Sequence, residues 1–208
     1  MWTELQNTQE LALVVIDLQE FDIDPNCGAL ATQSHKVVSQ YLEAIHQRVL
    51  PNVQALLKAA RERQVEIIHV RIQSLTQDGR DRSLGHKRLG IHIPPSSIGA
   101  QFIKEVEPKD DEIILNKTSS DAFHTTPLAQ ILRNMGVKQL VFCGVFTSEC
   151  VASTARSACD LSFDVRVVGD ACAAVTDEEH QQALFQLHDR YAQVIDTQTF
   201  ISALKNIP

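Results

Sequence analysis

Three ionisable side chains of three different kinds stand where apolar runs of the chain end. Leu11 to Ile16 runs into Asp17-Leu18-Gln19, Glu112 to Asn116 into Lys117-Thr118, and Gln139 to Cys143 into Gly144-Val145-Phe146-Thr147-Ser148-Glu149-Cys150. If these runs are strands of one parallel sheet, a carboxylate, an ammonium and a thiol arrive at its carboxyl edge, where open α/β sheets place their active sites. A thiol with an ordinary pKa of about 8.5 is mostly protonated at neutral pH, and it becomes a better nucleophile beside a cation or a helix N-terminus. Lys117 would supply the cation, and a helix starting at Ser148-Glu149 and running through Arg156 would supply the N-terminus. A nearby carboxylate can take the thiol proton as sulfur attacks a carbonyl carbon and hand it to a departing nitrogen. Taken singly, each residue has a plainer explanation. Free cysteines are commonly buried as small hydrophobes, and a charge after a strand is commonly a cap or a solvated group. It is the joint arrival of the three that points to chemistry.

The elements that must position them follow from periodicity. Short apolar, β-branched runs alternate with helical patterns along the whole chain, which predicts an α/β fold. Six strands are expected, at 11–16, 65–72, 112–116, 139–143, 165–168 and 193–195. Most are apolar throughout, as in a mostly parallel, Rossmann-like sheet covered by helices on both faces to give three α/β/α layers. A long helical stretch from about His35 to Arg63 should be divided by Pro51, because proline suits a first helical turn and not an interior. Thr126, Pro127 and Gly136 read as N-cap, first-turn proline and C-terminal glycine of a short helix. Asp177 should open a helix running to about Tyr191, and a last helix should cover Thr197 to Asn206. The segment from Ser74 to Ser97 breaks the rhythm with Gly79, Gly85, Gly90, Pro94 and Pro95 among Arg80, Arg82, Lys87 and Arg88. An irregular stretch of that length reads as a lid or an interaction arm.

The blocks ALVVIDLQ, NKTSSDAF and GVFTSECVASTARSACDLSFDVRVVGDACA, in this order over roughly residues 11 to 175, resemble the three signature blocks of the isochorismatase-like cysteine hydrolases. The third is the most specific, with Cys150 followed by Val151, by Thr154-Ala155-Arg156 and, after a strand, by Asp170-Ala171. The resemblance implies Cys150 as nucleophile, Asp17 as proton-transfer residue and Lys117 as the cation that positions or activates them. It further implies an oxyanion hole made by the main-chain amides of Phe146 and Cys150, and a cis peptide between Val145 and Phe146. True isochorismatases lack the cysteine, so Cys150 argues for acyl chemistry on a small amide, carbamoyl or ureido compound. Metal-dependent nicotinamidases carry an Asp-x-His pair after the second strand; here the stretch is Ile72-Gln73-Ser74, so neither a catalytic zinc nor another cofactor is expected. His86, His92, His180 and His188 lack tight ligand spacing and read as solvated or structural. Phe21, Phe123 and Phe146 could wall a substrate pocket, and Arg82 with its basic neighbours could bring positive charge to it; core and solvent roles fit them as well.

Composition narrows the partners. The chain of 208 residues is of a size for a single domain, and its 19 basic and 26 acidic residues leave a net charge of −7 without a basic cluster, which argues against nucleic acid. No apolar run approaches the roughly 20 residues needed to cross a bilayer, and the polar first ten residues do not read as a leader. Five cysteines, an odd number with no Cys-x-x-Cys pair, suit free thiols in a reducing, cytoplasmic setting. A homo-oligomer, dimer or tetramer, is what the resemblance implies. Two other functions compete. A dinucleotide-binding domain would need a glycine-rich turn after the first strand, and Asp17-Leu18-Gln19-Glu20-Phe21 has none. A catalytically silent binding module, or a nicotinamidase-like deamidase working without metal, would keep the same fold.

Overall fold

The computed structural model describes residues 4, 5 and 7–207. Six parallel strands form one sheet in the order β3-β2-β1-β4-β5-β6, with β1 at Leu11–Ile16, β2 at Glu66–Ile72, β3 at Ile113–Lys117, β4 at Gln139–Val145, β5 at Asp164–Ala173 and β6 at Gln193–Ile195. Every residue of β1 and β4 is buried, whereas the edge strands β3 and β6 are partly open. This matches the sequence pattern. Continuous apolar runs take the centre of the sheet, and the shorter or more polar ones take its edges.

Helices complete three layers. On one face lie α1 (His35–Ala44), α2 (Leu50–Glu62) and α8 (Thr197–Lys205), with α2 packed on α8. The lid contributes α3 (Leu84–Arg88). On the other face lie α4 (Ala122–Thr125), α5 (Leu128–Asn134), α6 (Ala152–Asp160) and α7 (Asp177–Leu187), with α6 packed against both α4 and α7. Among the described residues no helix is long and apolar enough to cross a membrane.

Several boundaries differ from expectation for identifiable reasons. Pro51 does not break the first helical stretch: a π-helical turn at Ile45–Val49 joins α1 to α2, so the proline falls in the first turn of α2, where its missing N–H has no helical duty. Pro127 occupies the N-cap of α5, and the Thr126 hydroxyl accepts from Leu128 N at 3.1 Å from one residue further out. Helix α7 is opened by a capping box between Thr176 and Glu179, one residue before Asp177, and ends at Leu187. Strands β4 and β5 extend to Val145 and Ala173, past the expected Cys143 and Val168. Their pairing shifts register between Phe142 and Gly144, which carries both chains on toward the catalytic edge.

The strand order reverses direction between β1 and β4, since β2 and β3 lie to one side of β1 and β4 to the other. Such a switch point opens a crevice beyond the strand ends, and Asp17 and Cys150 leave β1 and β4 there. Gly144 allows the two strands to meet. It pairs with Ile16 at φ +119°, and a Cβ placed on it would stand 2.0 Å from the Ile16 carbonyl oxygen. No L side chain tolerates that combination. Gly144→Ala should therefore lose more than about 3 kcal/mol of stability, read as a large fall in urea midpoint, because backbone strain and a main-chain collision add.

Candidate active site

Asp17 follows β1 directly in a left-handed conformation, φ +52°, with its N–H donating to Val70 O at 2.9 Å. Asp tolerates this region better than most residues. Two residues on, Gln19 is fully buried and acts as a brace. Its amide nitrogen donates to Ile72 O (3.1 Å) and Gly99 O (2.7 Å), and its oxygen accepts from Ile72 N (2.7 Å). The Asp-x-Gln pattern thus couples one chemical residue to one that locks the ends of β1 and β2 to the loop beyond the lid.

Lys117 is the last residue of β3, paired with Ile72 across from β2. Strands β3 and β1 are separated by β2, a distance of roughly 9–10 Å between strand axes. The long lysine side chain reaches over the end of β2 to put Nζ 2.8 Å from Asp17 Oδ2, 3.2 Å from Cys150 Sγ and 3.1 Å from Ser119 O. The ammonium thereby donates to the sulfur and to the Ser119 carbonyl, and forms an ion pair with the carboxylate. Lys117, Asp17 and Cys150 are 0, 1 and 5% exposed.

Cys150 sits in a π-helical turn, Thr147–Val151, that leads into α6 and follows a cis Val145–Phe146 peptide. The Phe146 carbonyl accepts from Glu149 N (3.0 Å) and Val151 N (3.2 Å), which closes the turn, and its ring packs at 5.4 Å on Tyr41. Thr147 is held from α7 by a 2.8 Å bond between its hydroxyl and His180 Nδ1. The remaining residues of the third sequence block are structural. Thr154 Oγ1 accepts from Ala122 N at 3.2 Å, tying α6 to the segment after Lys117, and the Asp121 carboxylate accepts from Phe123 N and Ser157 Oγ and pairs with His124. Asp170 joins α2 to α8, its carbonyl accepting from Asn52 (2.9 Å) and its carboxylate from Thr197.

Burial sets the electrostatics. It raises the Asp17 carboxyl above its ordinary value, with the Lys117 charge pulling the other way. It would lower the Lys117 ammonium, but Asp17 and Cys150 outweigh it and hold that group above its usual range. Burial pushes the Cys150 thiol well up, and Lys117 only partly opposes this. Burial thus works against the activation that cation and helix N-terminus supply, and favours a protonated thiol over a thiolate.

Phe123 and Arg82, expected as substrate contacts, also make contacts within the fold. The Phe123 ring stacks on Phe163, 6.0 Å away, just ahead of β5 and so toward the amino edge of the sheet. Arg82 stitches the lid, donating from Nε to Gly79 O (2.9 Å) and from Nη1 to Ile91 O (2.7 Å). Phe21 is half-buried against Gly28, where a Cβ would stand 2.7 Å from its ring. The segment 74–97 is tied to the body of the fold: the Asp81 carboxylate accepts from Leu75 N and Thr76 N, and Ser83 N donates to Thr118 O at 2.8 Å, next to Lys117. Two residues unremarked as site groups are buried beside the triad. They are Asp22, adjoining the aromatic Phe21, and His86, buried as the structural rather than the solvated reading of it would have it. Among the described residues no three His, Cys, Asp or Glu side chains stand together so as to hold a metal ion. All five cysteines are free.

The family model for the isochorismatase domain matches residues 11–199. The chain belongs to the isochorismatase family. It is 28% identical over 200 residues, 91% of its length and 98% of the other's, to the uncharacterized isochorismatase family protein YddQ of Bacillus subtilis (strain 168). Its fold matches that of a cysteine hydrolase from Pseudomonas syringae pv. phaseolicola with a TM-score of 0.81 at 22% identity, covering 98% and 96% of the two chains. It also matches a zinc-complexed pyrazinamidase of Pyrococcus horikoshii with a TM-score of 0.70 at 26% identity, covering 90% and 99%. This isochorismatase-family chain thus has the α/β fold of the family's cysteine hydrolases.

Two outcomes follow from the buried charges. Lys117→Met would strand the Asp17 carboxylate and should cost about 3–5 kcal/mol by urea unfolding, most of it recovered in Asp17→Asn/Lys117→Met; a double variant no more stable than the single one would contradict the pairing. His180, buried on α7, has its pKa lowered by burial first and then by Arg48, to about 4 from 6.5. A depressed folded-state pKa means the unfolded chain takes up the proton first, so this stability is complete above pH 6.5 and is lost as pH falls toward 4. The stability of the wild type relative to His180→Phe should decline over that window, whereas a constant difference would show that His180 charges as freely folded as unfolded.

Proposed function

We propose that the protein is a cysteine amidohydrolase that cleaves the C–N bond of a small amide, carbamoyl or ureido compound through a thioester on Cys150. The observation that carries this reading is the buried Lys117 ammonium, 2.8 Å from a carboxylate oxygen of Asp17 and 3.2 Å from the Cys150 sulfur. A cation, a base and a thiol held together away from water can separate and recombine charge at little reorganisation cost.

In the proposed sequence Asp17 takes the thiol proton as Cys150 Sγ bonds to the carbonyl carbon, and the carbonyl oxygen becomes an oxyanion held by the main-chain amides of Phe146 and Cys150. Collapse of that intermediate breaks the C–N bond, and Asp17 returns the proton to the nitrogen so that ammonia or an amine leaves neutral. A water then attacks the thioester, giving its proton to Asp17, and the departing sulfur recovers a proton from the same carboxyl. Lys117 balances the negative charge on whichever of Asp17 and Cys150 carries it. Likeness to a pyrazinamidase supports amide chemistry, while no step runs through a metal, since the described residues offer no ligand set for one. Phe21 is proposed as an apolar contact at the rim, and Arg82 as a support of the lid above it.

Ammonia release by wild type and by Cys150→Ala, over a panel of amides, N-carbamoyl amino acids, ureido acids and nicotinamide, tests the proposal. Turnover should fall by at least about 10³-fold in the variant. Release that persists there would refute the mechanism, and a wild type silent on every compound would favour a binding module on the same fold.

A further inference from the structure

Asp22 and His86 are unexplained by the mechanism and lie at its edges. Asp22 ends the 3₁₀ turn Glu20–Asp22, five residues beyond Asp17; it is 5% exposed, and its Oδ2 is buried without a hydrogen-bond partner. Its carbonyl accepts from the Tyr41 hydroxyl at 3.0 Å, and the Tyr41 ring packs on Phe146. Tyr41 thus links the Asp22 backbone to the turn that presents Cys150, while the Asp22 carboxyl is near enough to Asp17 and Lys117 to feel both charges. His86 enters from the β3 side. It is 1% exposed on α3, and both of its ring nitrogens are buried without a partner. Its helix is fixed over the site by Ser83, which donates its N–H to Thr118 O beside Lys117 and accepts from His86 N at 3.1 Å.

Folded proteins seldom leave buried polar atoms unmatched, and the Asp22 and His86 atoms, like both oxygens of Asp17 itself, are buried without a hydrogen-bond partner, which a ligand could supply. Their protonation states describe it. Burial first, and Asp17 second, push the Asp22 carboxyl well above its ordinary value. Burial first, then Lys117 and Arg82, lower His86 to about 4. Burial disfavours the charged form of both groups, and in its neutral form each offers one donor and one acceptor. A neutral planar group with its own donor and acceptor matches them. An anionic substrate end, which the basic lid residues had suggested, would meet Asp17 at short range, while Arg82 is engaged by lid carbonyls.

We propose that Asp22 and His86 form the substrate-recognition pair of this site, selecting a small amide whose non-scissile end is a second neutral carboxamide or ureido group. The proposal rests on the hydrolase reading for which amide is cleaved, but binding can be measured apart from cleavage. Malonamide and isovaleramide have the same heavy-atom shape and differ only in the end that would meet the pair. In a Cys150→Ala background, calorimetry should find malonamide bound at least about tenfold more tightly than isovaleramide. The preference should approach unity when Asp22→Leu or His86→Leu is added, and should survive Asp22→Asn, whose amide keeps a donor and an acceptor. Thermal melts would check folding, with Asp22→Ala and His86→Ala replacing a leucine variant that fails to fold. Equal affinities, absence of binding by both amides, or a preference unaltered in both apolar variants would overturn the assignment. Ammonia release from the same two amides by the wild type is the separate readout: selective binding without turnover sinks the hydrolase reading and leaves the recognition pair standing.

Discussion

The Lys117 ammonium is the constraint around which the catalytic edge is arranged. A fully buried cation is tolerated only where carboxylate and hydrogen-bond acceptors surround it. Asp17, Cys150 and Ser119 are those partners, and each comes from a separate stretch of chain. Lys117 must end β3 in register with Ile72, Asp17 must leave β1 in a left-handed turn, and β4 must run against β1 closely enough to bring Cys150 alongside. The all-parallel order satisfies the last two at a single switch point. Gln19 and Gly144 then work as geometric conditions for the ion pair, one locking the end of β2 and the other removing a side chain from the β1–β4 contact.

Around this centre the supports are themselves layered. Thr147 is held by His180 from α7, Phe146 by Tyr41 from α1, and the segment after Lys117 by Thr154 from α6. Each ties a segment beside Cys150 or Lys117 to a helix elsewhere in the fold, so side chains outside the triad help to hold the sulfur and the ammonium in place. Such rigid support is what a site needs if charge is to develop without reorganisation.

Much of this was legible in the sequence because it depends on local chemistry. All six strands announced themselves as short apolar runs, and Asp17, Lys117 and Cys150 were visible as unlike ionisable groups at three strand ends. What escaped depends on the direction a side chain takes in irregular backbone. In the turn after Gln19, Phe21 looked like the inward residue, yet its ring lies on Gly28 and Asp22 is the more deeply buried neighbour. His86 sits among Arg82, Lys87 and Arg88, a composition that reads as solvated until Ser83 is seen fastened to Thr118. Phe123, close in sequence to Lys117, stacks its ring on Phe163, a partner that the sequence did not suggest. The π turn that carries the first helix past Pro51 likewise has no period of its own to detect.

Burial that stabilises this geometry also keeps its nucleophile quiet. The same exclusion of water that strengthens the Lys117–Asp17 pair raises the Cys150 thiol, against the pull of an ammonium 3.2 Å away, and so favours the protonated form. A protonated thiol is a poor target for chance oxidation or alkylation, since the thiolate is the reactive form. On the proposed chemistry the proton moves to Asp17 only as the sulfur gains a carbonyl carbon to bond with, and Asp17, its own carboxyl raised by burial, is a stronger base for that moment than a solvated carboxylate would be. Reactivity then belongs to the complex with substrate. On this proposal a buried site can hold such a nucleophile, because what activates the thiol is the bond it is about to form.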